Sequence, residues 1–214
     1  MARKYFLFLY PSEPKLRALL NIAIFALNPE EKWPAHVTVA GPFSKRPSYV
    51  RQLPPHTTAF SLGLGNFFPQ GINTVYLRIG LPEIRHIWNK PDFRGNPVPH
   101  VSLYNGRDSG AAGEVYKKLR LISPFFSFIV SNPTIVSSTP GQEIMDLREQ
   151  VNPDILPLSR GLSIDELRRL NFDDRLSIAE SAILECLPKA RQPRDIFNLI
   201  PPTTNNMLEF LKRK

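Results

Sequence analysis

The chain has 214 residues and is 42% hydrophobic, which is enough for one large domain, or for one domain and an appendage, around a substantial core. Its longest apolar run, residues 19–27, is interrupted by Asn21 and falls short of the ~20 residues that a membrane span needs, so we expect no membrane association. A single cysteine, Cys186, excludes a disulfide framework, and with no recognisable export signal the sequence predicts a cytoplasmic protein.

Positive charge is concentrated in the first two thirds of the chain. The net charge is +8, and residues 1–140 hold 16 Lys and Arg against 7 Asp and Glu, whereas residues 141–214 hold 11 against 12. A positive field raises the local concentration of anions, so we favour an anionic partner for the first region. A contribution to solubility alone is the alternative.

The first half of the predicted domain reads as strand, helix, strand, helix, strand. Apolar alternation predicts a strand at residues 4–10, and helical periodicity predicts a helix at 13–27 that is capped by Ser12. A strand with a histidine motif comes next, and after it we predict a short helix at 48–53 and a strand at 58–64.

The same order recurs in the second half. The predicted elements are a strand at 74–79, a short helix at 82–89, a second motif strand at 99–104, a helix at 112–122 and a strand at 125–130. A duplication of this kind predicts an α+β fold of two pseudo-symmetric lobes, with antiparallel sheets facing a central cleft and helices outside.

The two motif strands carry the same four-residue pattern, His-Val-Thr-Val at residues 36–39 and His-Val-Ser-Leu at 100–103. At average composition, two such matches among four histidines arise by chance about once in several hundred to a thousand chains. Side chains alternate along a strand, so each histidine is expected to share a face with its hydroxyl residue while the apolar residues enter the core.

The chemistry of these residues points to proton transfer. Two imidazoles that titrate near neutrality, each with a hydroxyl donor beside it, suffice for general acid–base attack on a phosphodiester without a metal. One of His36 and His100 would accept a proton from the nucleophile, and the other would donate one to the leaving oxygen. Thr38 and Ser102 would bind the non-bridging phosphoryl oxygens.

This combination resembles the two-histidine (2H) phosphoesterase superfamily. The resemblance rests on the paired H-x-[ST]-x strands, on Pro99 directly before the second histidine, on the separation of the motifs and on the doubled strand–helix order, and it covers residues 3–137. It implies a phosphodiesterase of RNA or another oligonucleotide that acts on 2′,3′-cyclic phosphate ends or 2′-5′ linkages, with His36, His100, Thr38 and Ser102 as catalytic residues.

Two other functions stay open at this point. The same catalytic groups could hydrolyse cyclic or 2′-5′ signalling oligonucleotides, because substrate choice depends on the shape of the groove and its loops. The alternative of another class is a non-catalytic module that binds RNA or a protein partner. Two intact motifs argue against such a module, which has no need of two proton-transfer groups.

No metal or cofactor is expected. The histidines stand at positions 36, 56, 86 and 100, and with one cysteine they form no H-x-x-x-H or C-x-x-C spacing that is typical of a zinc site. We expect His56, in a loop, and His86, on a short helix, to be surface or packing residues. No Walker loop, G-x-G-x-x-G turn or G-x-S-x-G elbow is present.

Further substrate contacts are predicted from strand parity and charge. Tyr104 lies four residues after His100 and should share its face, and Ala40 is its counterpart in the first motif. A base could then stack on Tyr104, although a tyrosine at the rim with no ligand is the alternative. The basic residues that come after the motif strands are predicted to neutralise flanking phosphates, or are simply solvated: Lys45, Arg46 and Arg107.

The sequence pattern changes after residues 1–139, which we take as the two-lobed domain. Residues 140–214 begin with a proline-containing linker and are predicted to form a helical extension of unknown role. The predicted elements are a capping box at 163–166 and helices at 174–187, 195–199 and 204–212. Their apolar stripes indicate packing on the domain or on another chain, so a partner or self-association through these helices is possible.

Overall fold

A computed structural model describes residues 4–31, 33–67, 72–89, 98–122, 124–137 and 163–187. These residues form the mixed α+β fold that the sequence predicts, with two antiparallel sheets, one of them curled into a half-barrel. The strands are β1 (Tyr5–Leu9), β2 (Val37–Phe43), β3 (Thr58–Phe67), β4 (Asn73–Gly80), β5 (His100–Gly106), β6 (Ser127–Ile129) and β7 (Thr134–Ser137). The helices are α1 (Pro14–Leu27), α2 (Ser109–Ile122), α3 (Ile164–Arg169) and α4 (Phe172–Cys186), with a short 3-10 helix at Pro82–His86.

The two motif strands are edge strands of different sheets. The first sheet has the order β2-β1-β7, and the second has the order β5-β4-β3-β6. Strands β2 and β5 contact each other. The outer edge of β2 is paired with Asn89, whose N–H donates to Val39 O at 2.9 Å and whose carbonyl accepts from Gly41 N at 3.1 Å. The chain after β4 therefore joins the second sheet to the edge of the first.

Helix α1 is buried over nearly its whole circumference. Its apolar residues continue around the helix, as expected of a helix that is covered on all sides rather than on one face. Helix α4 packs along α1 and against α2, and α3 also contacts α1. Leu167, Leu176 and Ile183 of these C-terminal helices belong to the same hydrophobic core as the strands. Residues 163–187 therefore pack on the preceding domain.

Two predicted details of the first half are wrong. Helix α1 is N-capped by Glu13 rather than by Ser12, because Pro14 takes the first helical position, where its missing N–H costs nothing. The N–H of Ser12 instead donates to Ile129 O at 2.8 Å. No helix forms at 48–53, a segment of six residues between prolines that is too short to nucleate a stable turn.

The predicted capping box is confirmed. Ser163 Oγ accepts a hydrogen bond from Glu166 N at 3.3 Å, and Glu166 Oε2 accepts one from Ser163 N at 2.6 Å. Helix α4 begins two residues earlier than predicted, because the side chain of Asn171 caps it by accepting from Asp174 N at 2.9 Å. The predicted linker and the helices at 195–199 and 204–212 lie outside the described residues. None of the helices in the described part is long and apolar enough to cross a membrane.

Candidate functional site

The predicted alternation of the motif residues is confirmed. Val37 and Val39 are buried on β2, and Val101 and Leu103 are buried on β5, at 2% exposure or less. The motif histidines and hydroxyl residues between them are only partly buried: His36, Thr38, His100 and Ser102. Both motifs therefore hold their apolar residues in the core and present an imidazole and a hydroxyl on the opposite face of the strand.

The two imidazoles make the same backbone hydrogen bond. His36 Nδ1 lies 2.6 Å from Pro34 O, and His100 Nδ1 lies 2.8 Å from Val98 O, in each case the carbonyl two residues earlier. A carbonyl oxygen can only accept, so Nδ1 carries the proton in both rings. In the neutral ring the lone pair is then on Nε2, the nitrogen that can take up or release a catalytic proton.

Each imidazole also meets an aromatic ring from the neighbouring strand. Phe8 on β1 stands opposite Thr38, and its ring stacks on His36 with 3.7 Å between centroids and 19° between planes. Tyr76 on β4 stands opposite Ser102, and its ring lies 5.1 Å from His100 at 56°. Residues directly opposite in a ladder share a face. Each half thus groups a histidine, a hydroxyl residue and an aromatic ring on one face.

Both motif strands bulge at the residue after the hydroxyl. On β2, Thr38 pairs with Phe8 but Ala40 pairs with Leu7, so that Val39 is the extra residue. On β5, Ser102 pairs with Tyr76 but Tyr104 pairs with Val75, so that Leu103 is the extra residue. An extra residue reverses the orientation of the side chains that come after it in the strand.

This reversal makes the predicted face of Tyr104 wrong, because Tyr104 does not share a face with His100. Tyr104 is 7% exposed and shares the buried face of Val75, so it faces away from His100 and lies beside the helices. It lines a cleft of about 650 Å³ with Phe172 and Arg175. Burial raises the pKa of the Tyr104 phenol above its usual value, and the negative charge of Asp108 raises it further. Tyr104 is therefore not in a position to stack on a base held by the motif residues.

The predicted basic residues are exposed at the ends of the motif strands. Lys45 and Arg46 come after β2, and Arg107 comes after β5. The sequence reasoning missed Arg78, which stands opposite His100 on β4, shares its face, and is exposed. One nitrogen of its guanidinium, Nη2, donates to Leu62 O at 2.9 Å. Arg78 is the cation that the strand register places next to a motif histidine.

Phe8 and Tyr76 were also missed, because the sequence offsets between the two halves do not align them. The two histidines are 64 residues apart, and Tyr5 and Thr74, in the first strand of each half, are 69 apart. Phe8 and Tyr76 are 68 apart, so neither offset aligns them, and an error of one residue assigns a strand residue to the opposite face. The other two histidines, His56 and His86, are exposed, as expected for surface residues.

No protein-family model matches the sequence, and no curated protein matches it significantly. Within the described ranges, no group of three or more His, Cys, Asp or Glu side chains is arranged to hold a metal ion. A function for this chain must therefore be inferred from the two motifs and their geometry.

Proposed function

We propose that the chain is a metal-independent phosphodiesterase that uses His36 and His100 as general acid and base on RNA-like phosphodiesters. The observation that carries the proposal is the matched support of the two rings, each with the same Nδ1 hydrogen bond and an aromatic neighbour from the adjacent strand. A histidine that only packs has no reason to recur in two sheets with a hydroxyl residue two positions later, the same tautomer and an aromatic neighbour. A shared reaction gives such a reason.

The proposed substrates are 2′,3′-cyclic phosphate ends or 2′-5′ linkages. One histidine, neutral at Nε2, accepts a proton from water or a ribose hydroxyl as that oxygen bonds to phosphorus. The other, protonated, donates its Nε2 proton to the ribose oxygen whose bond to phosphorus breaks. The rings then exchange protons with solvent to return to their starting states, so rate against pH is expected to be bell-shaped.

The remaining residues of the site have electrostatic roles. Thr38 and Ser102 donate hydrogen bonds to the non-bridging oxygens, where negative charge increases in the transition state. Arg78, on the face of His100, and the basic residues Lys45, Arg46 and Arg107 attract the phosphates on either side of the cleaved bond. The excess of basic residues in the first 140 positions supports an anionic substrate.

The architecture that belongs to this function is a pair of pseudo-symmetric lobes, with β2 and β5 on the two walls of one groove and residues 140–214 as an extension. The contact between β2 and β5 supports this arrangement, because the strands come from different sheets. The matching bulges after Thr38 and Ser102 support the pseudo-symmetry.

The test is a cleavage assay in EDTA with four proteins. The substrates are an RNA that ends in a 2′,3′-cyclic phosphate, a 2′-5′ oligoadenylate, and cyclic di- and trinucleotides. We expect the parent to cleave at least one, and His36→Ala and His100→Ala to lose about 10²-fold or more in rate, the usual contribution of a general acid or base. His86→Ala, which removes an exposed histidine outside the motifs, is the matched control and should keep the parent rate.

Three results would decide against the proposal or redirect it. Full activity in both motif variants would show that these histidines are not the acid and base. Cleavage of the cyclic oligonucleotides alone would assign the same residues to a signalling substrate. Binding of RNA with a steep salt dependence and no cleavage would identify a binding module instead.

A further inference from the structure

Two asparagines, one in helix α1 and one at its C-terminal cap, form hydrogen bonds near the two motifs. Asn21 lies within the helix and is completely buried, and Asn28 stands two helical turns later at the C-terminal cap. Buried amides occur where they satisfy other polar groups, because an unpaired polar group in the core is costly. The partners of these two amides are backbone groups next to the two H-x-[ST]-x motifs.

Asn21 holds the peptide that orients His36. Its Oδ1 accepts a hydrogen bond from Ala35 N at 2.6 Å. The carbonyl of that same peptide unit is Pro34 O, which accepts from His36 Nδ1 at 2.6 Å. The three groups form a chain from the amide through one peptide plane to the imidazole. Hydrogen bonds in such a chain polarise one another, so the bond to Asn21 strengthens the bond that fixes the ring.

The second motif lacks this arrangement. The corresponding peptide joins Val98 to Pro99, and proline has no N–H that an asparagine could bind. The carbonyl of Pro99, in the next peptide, instead accepts from Ile79 N at 2.9 Å, which ties the Pro99–His100 peptide to β4. His100 is therefore held from its own sheet, whereas His36 is held from helix α1.

Asn28 binds the second motif strand further along. Its Nδ2 donates to Leu103 O at 2.8 Å, and its Oδ1 accepts from Asn105 N at 3.1 Å. These two groups lie on the outer edge of β5, and the amide pairs with them as a neighbouring strand would. Leu103 and Asn105 lie on either side of Tyr104, and Leu103 is the bulge residue directly after Ser102.

We infer that Asn21 and Asn28 are positioning residues of the proposed active site, through which α1 fixes the first motif at its histidine and the second motif beyond its hydroxyl. The inference rests on the proposed function. Hydrogen bonds from one helix and its C-terminal cap to the peptide before His36 and to β5 fix the two motifs relative to the same element, and the two proton-transfer groups must keep a fixed spacing around one phosphorus. Displacement of a reacting group by about 1 Å costs roughly 10²-fold in rate.

The first test reads the two rings separately by ¹⁵N NMR of histidine-labelled protein. In the parent we expect both rings as the Nδ1–H tautomer. Asn21→Leu, which removes the acceptor, should give a mixture of tautomers at His36 and leave His100 unchanged. Asn28→Ala should shift His100 and speed amide exchange at Asn105, and leave His36 unchanged. Equal changes at both rings in every variant, or no change at either, would overturn the inference.

The second test is kinetic and uses the substrate that the parent cleaves. We expect Asn28→Ala to lower kcat roughly tenfold while KM changes less than about twofold, because the strand is displaced but the substrate-binding groups remain. Asn28 is only partly buried, so this variant tests the inference even if Asn21→Leu does not fold. An unchanged kcat in Asn28→Ala would overturn the inference. A parent without activity would refute the proposed function, while the ring signals would still decide whether the asparagines orient the motifs.

Discussion

In the first half of the molecule an imidazole lies flat against a buried phenylalanine, whereas in the second half it meets a partly exposed tyrosine at an angle. The centroid distances are 3.7 Å for His36 and Phe8 and 5.1 Å for His100 and Tyr76. The Nδ1 bonds, the hydroxyl residues and the bulges match in the two halves, but the surroundings of the aromatic rings do not. The matched features thus include the orientation of each imidazole and its neighbouring hydroxyl, which the proposed reaction requires.

The difference extends to the strands beyond the rings. Phe8 pairs with Thr134 on β7, whereas Tyr76 pairs with Gly65 on β3, where a Cβ would lie 2.6 Å from the tyrosine ring. The ring of Tyr76 therefore occupies the space above a glycine. Two halves with the same motif but different support are expected to have different proton-transfer roles, since the environment of each ring sets its proton affinity.

The largest expected effect is the loss of rate in the two histidine variants, and the choice of substrate then shows which histidine is the acid and which is the base. On a substrate with a ribose leaving group, His36→Ala and His100→Ala should each lose about 10²-fold or more. On a nucleoside p-nitrophenyl phosphodiester, whose leaving group needs no proton, the variant that lacks the acid should recover to within about tenfold of the parent, while the variant that lacks the base should not. Equal recovery of both variants, measured as kcat/KM, would mean that the halves do not differ in role.

Removal of the aromatic ring beside either histidine is expected to have a smaller effect on kcat. Phe8→Leu should lower kcat roughly tenfold and the free energy of unfolding by about 1–2 kcal/mol, because it removes a stacked ring from a buried position. Tyr76→Leu should lower kcat by a similar factor with a smaller loss of stability, because its ring is partly exposed. Kinetic assays and urea denaturation measure the two quantities.

The matched control for the rings is Phe6→Leu. Phe6 is on the same strand and face as Phe8, with 6.1 Å between their centroids, and is only partly buried. We expect its variant to keep kcat within about twofold. A loss of kcat in Phe6→Leu equal to that in Phe8→Leu would mean that the aromatic face acts through general packing rather than through the imidazole.

An effect confined to the second half is expected from Gly65→Ala. The new Cβ would occupy the position of the Tyr76 ring, and the ring must move away from its place beside His100. Since the ring is the end of a side chain and can rotate, the free energy of unfolding should fall by less than about 1 kcal/mol, whereas kcat should fall several-fold. In ¹⁵N spectra we expect His100 to shift and His36 to stay unchanged.

Gly113→Ala provides the comparison for that variant. Gly113 is exposed on α2 and a Cβ there would meet nothing within 4 Å, so alanine should raise the free energy of unfolding by about 0.5–1 kcal/mol and leave kcat unchanged. If Gly65→Ala also left kcat and the His100 signal unchanged, the contact between Tyr76 and His100 would have no part in positioning the second ring.

The sequence predicts the motif strands well because their signal is local. Alternation of apolar and polar residues places Val37, Val39, Val101 and Leu103 in the core, and this needs no knowledge of the rest of the chain. Of the four histidines, His100 begins β5, His36 directly precedes β2, and the other two are exposed, as the sequence predicts. Repetition of the pattern was the decisive information.

The error at Tyr104 has a cause that the sequence contains. In both motifs the hydroxyl residue is succeeded by two apolar residues, Val39-Ala40 and Leu103-Tyr104, and this pair breaks the period of two. A break of this kind predicts a bulge, after which side chains face the other side of the sheet. Reading alternation across the break assigned Tyr104 to the wrong face.

The contacts of α1 could not be predicted from the sequence. Asn21 and Asn28 bind residues that are 14 and 75 or more positions away, and their partners are backbone groups, which carry no residue signature. An asparagine in a helix favours caps and turns by local propensity alone. Only the three-dimensional structure shows that these amides are bonded to the motif segments.

The smallest expected effect is on stability and comes from a substitution in α4. This helix lies outside the predicted repeat and packs against α1 of the first half and α2 of the second. The thiol of Cys186 donates to Ala182 O at 3.2 Å, and burial raises its pKa from 9.0 to about 12. A thiol whose pKa is raised in the folded protein contributes stability below the unfolded value, and this is lost as pH rises from about 9 to about 12. Cys186→Ala should therefore lose less stability than the parent between about pH 8 and pH 10.5 in urea denaturation. We expect Cys186→Ala to leave the ¹⁵N signals of both His36 and His100 unchanged. A shift of one ring alone would show that α4, which contacts both halves, supports the two motifs unequally.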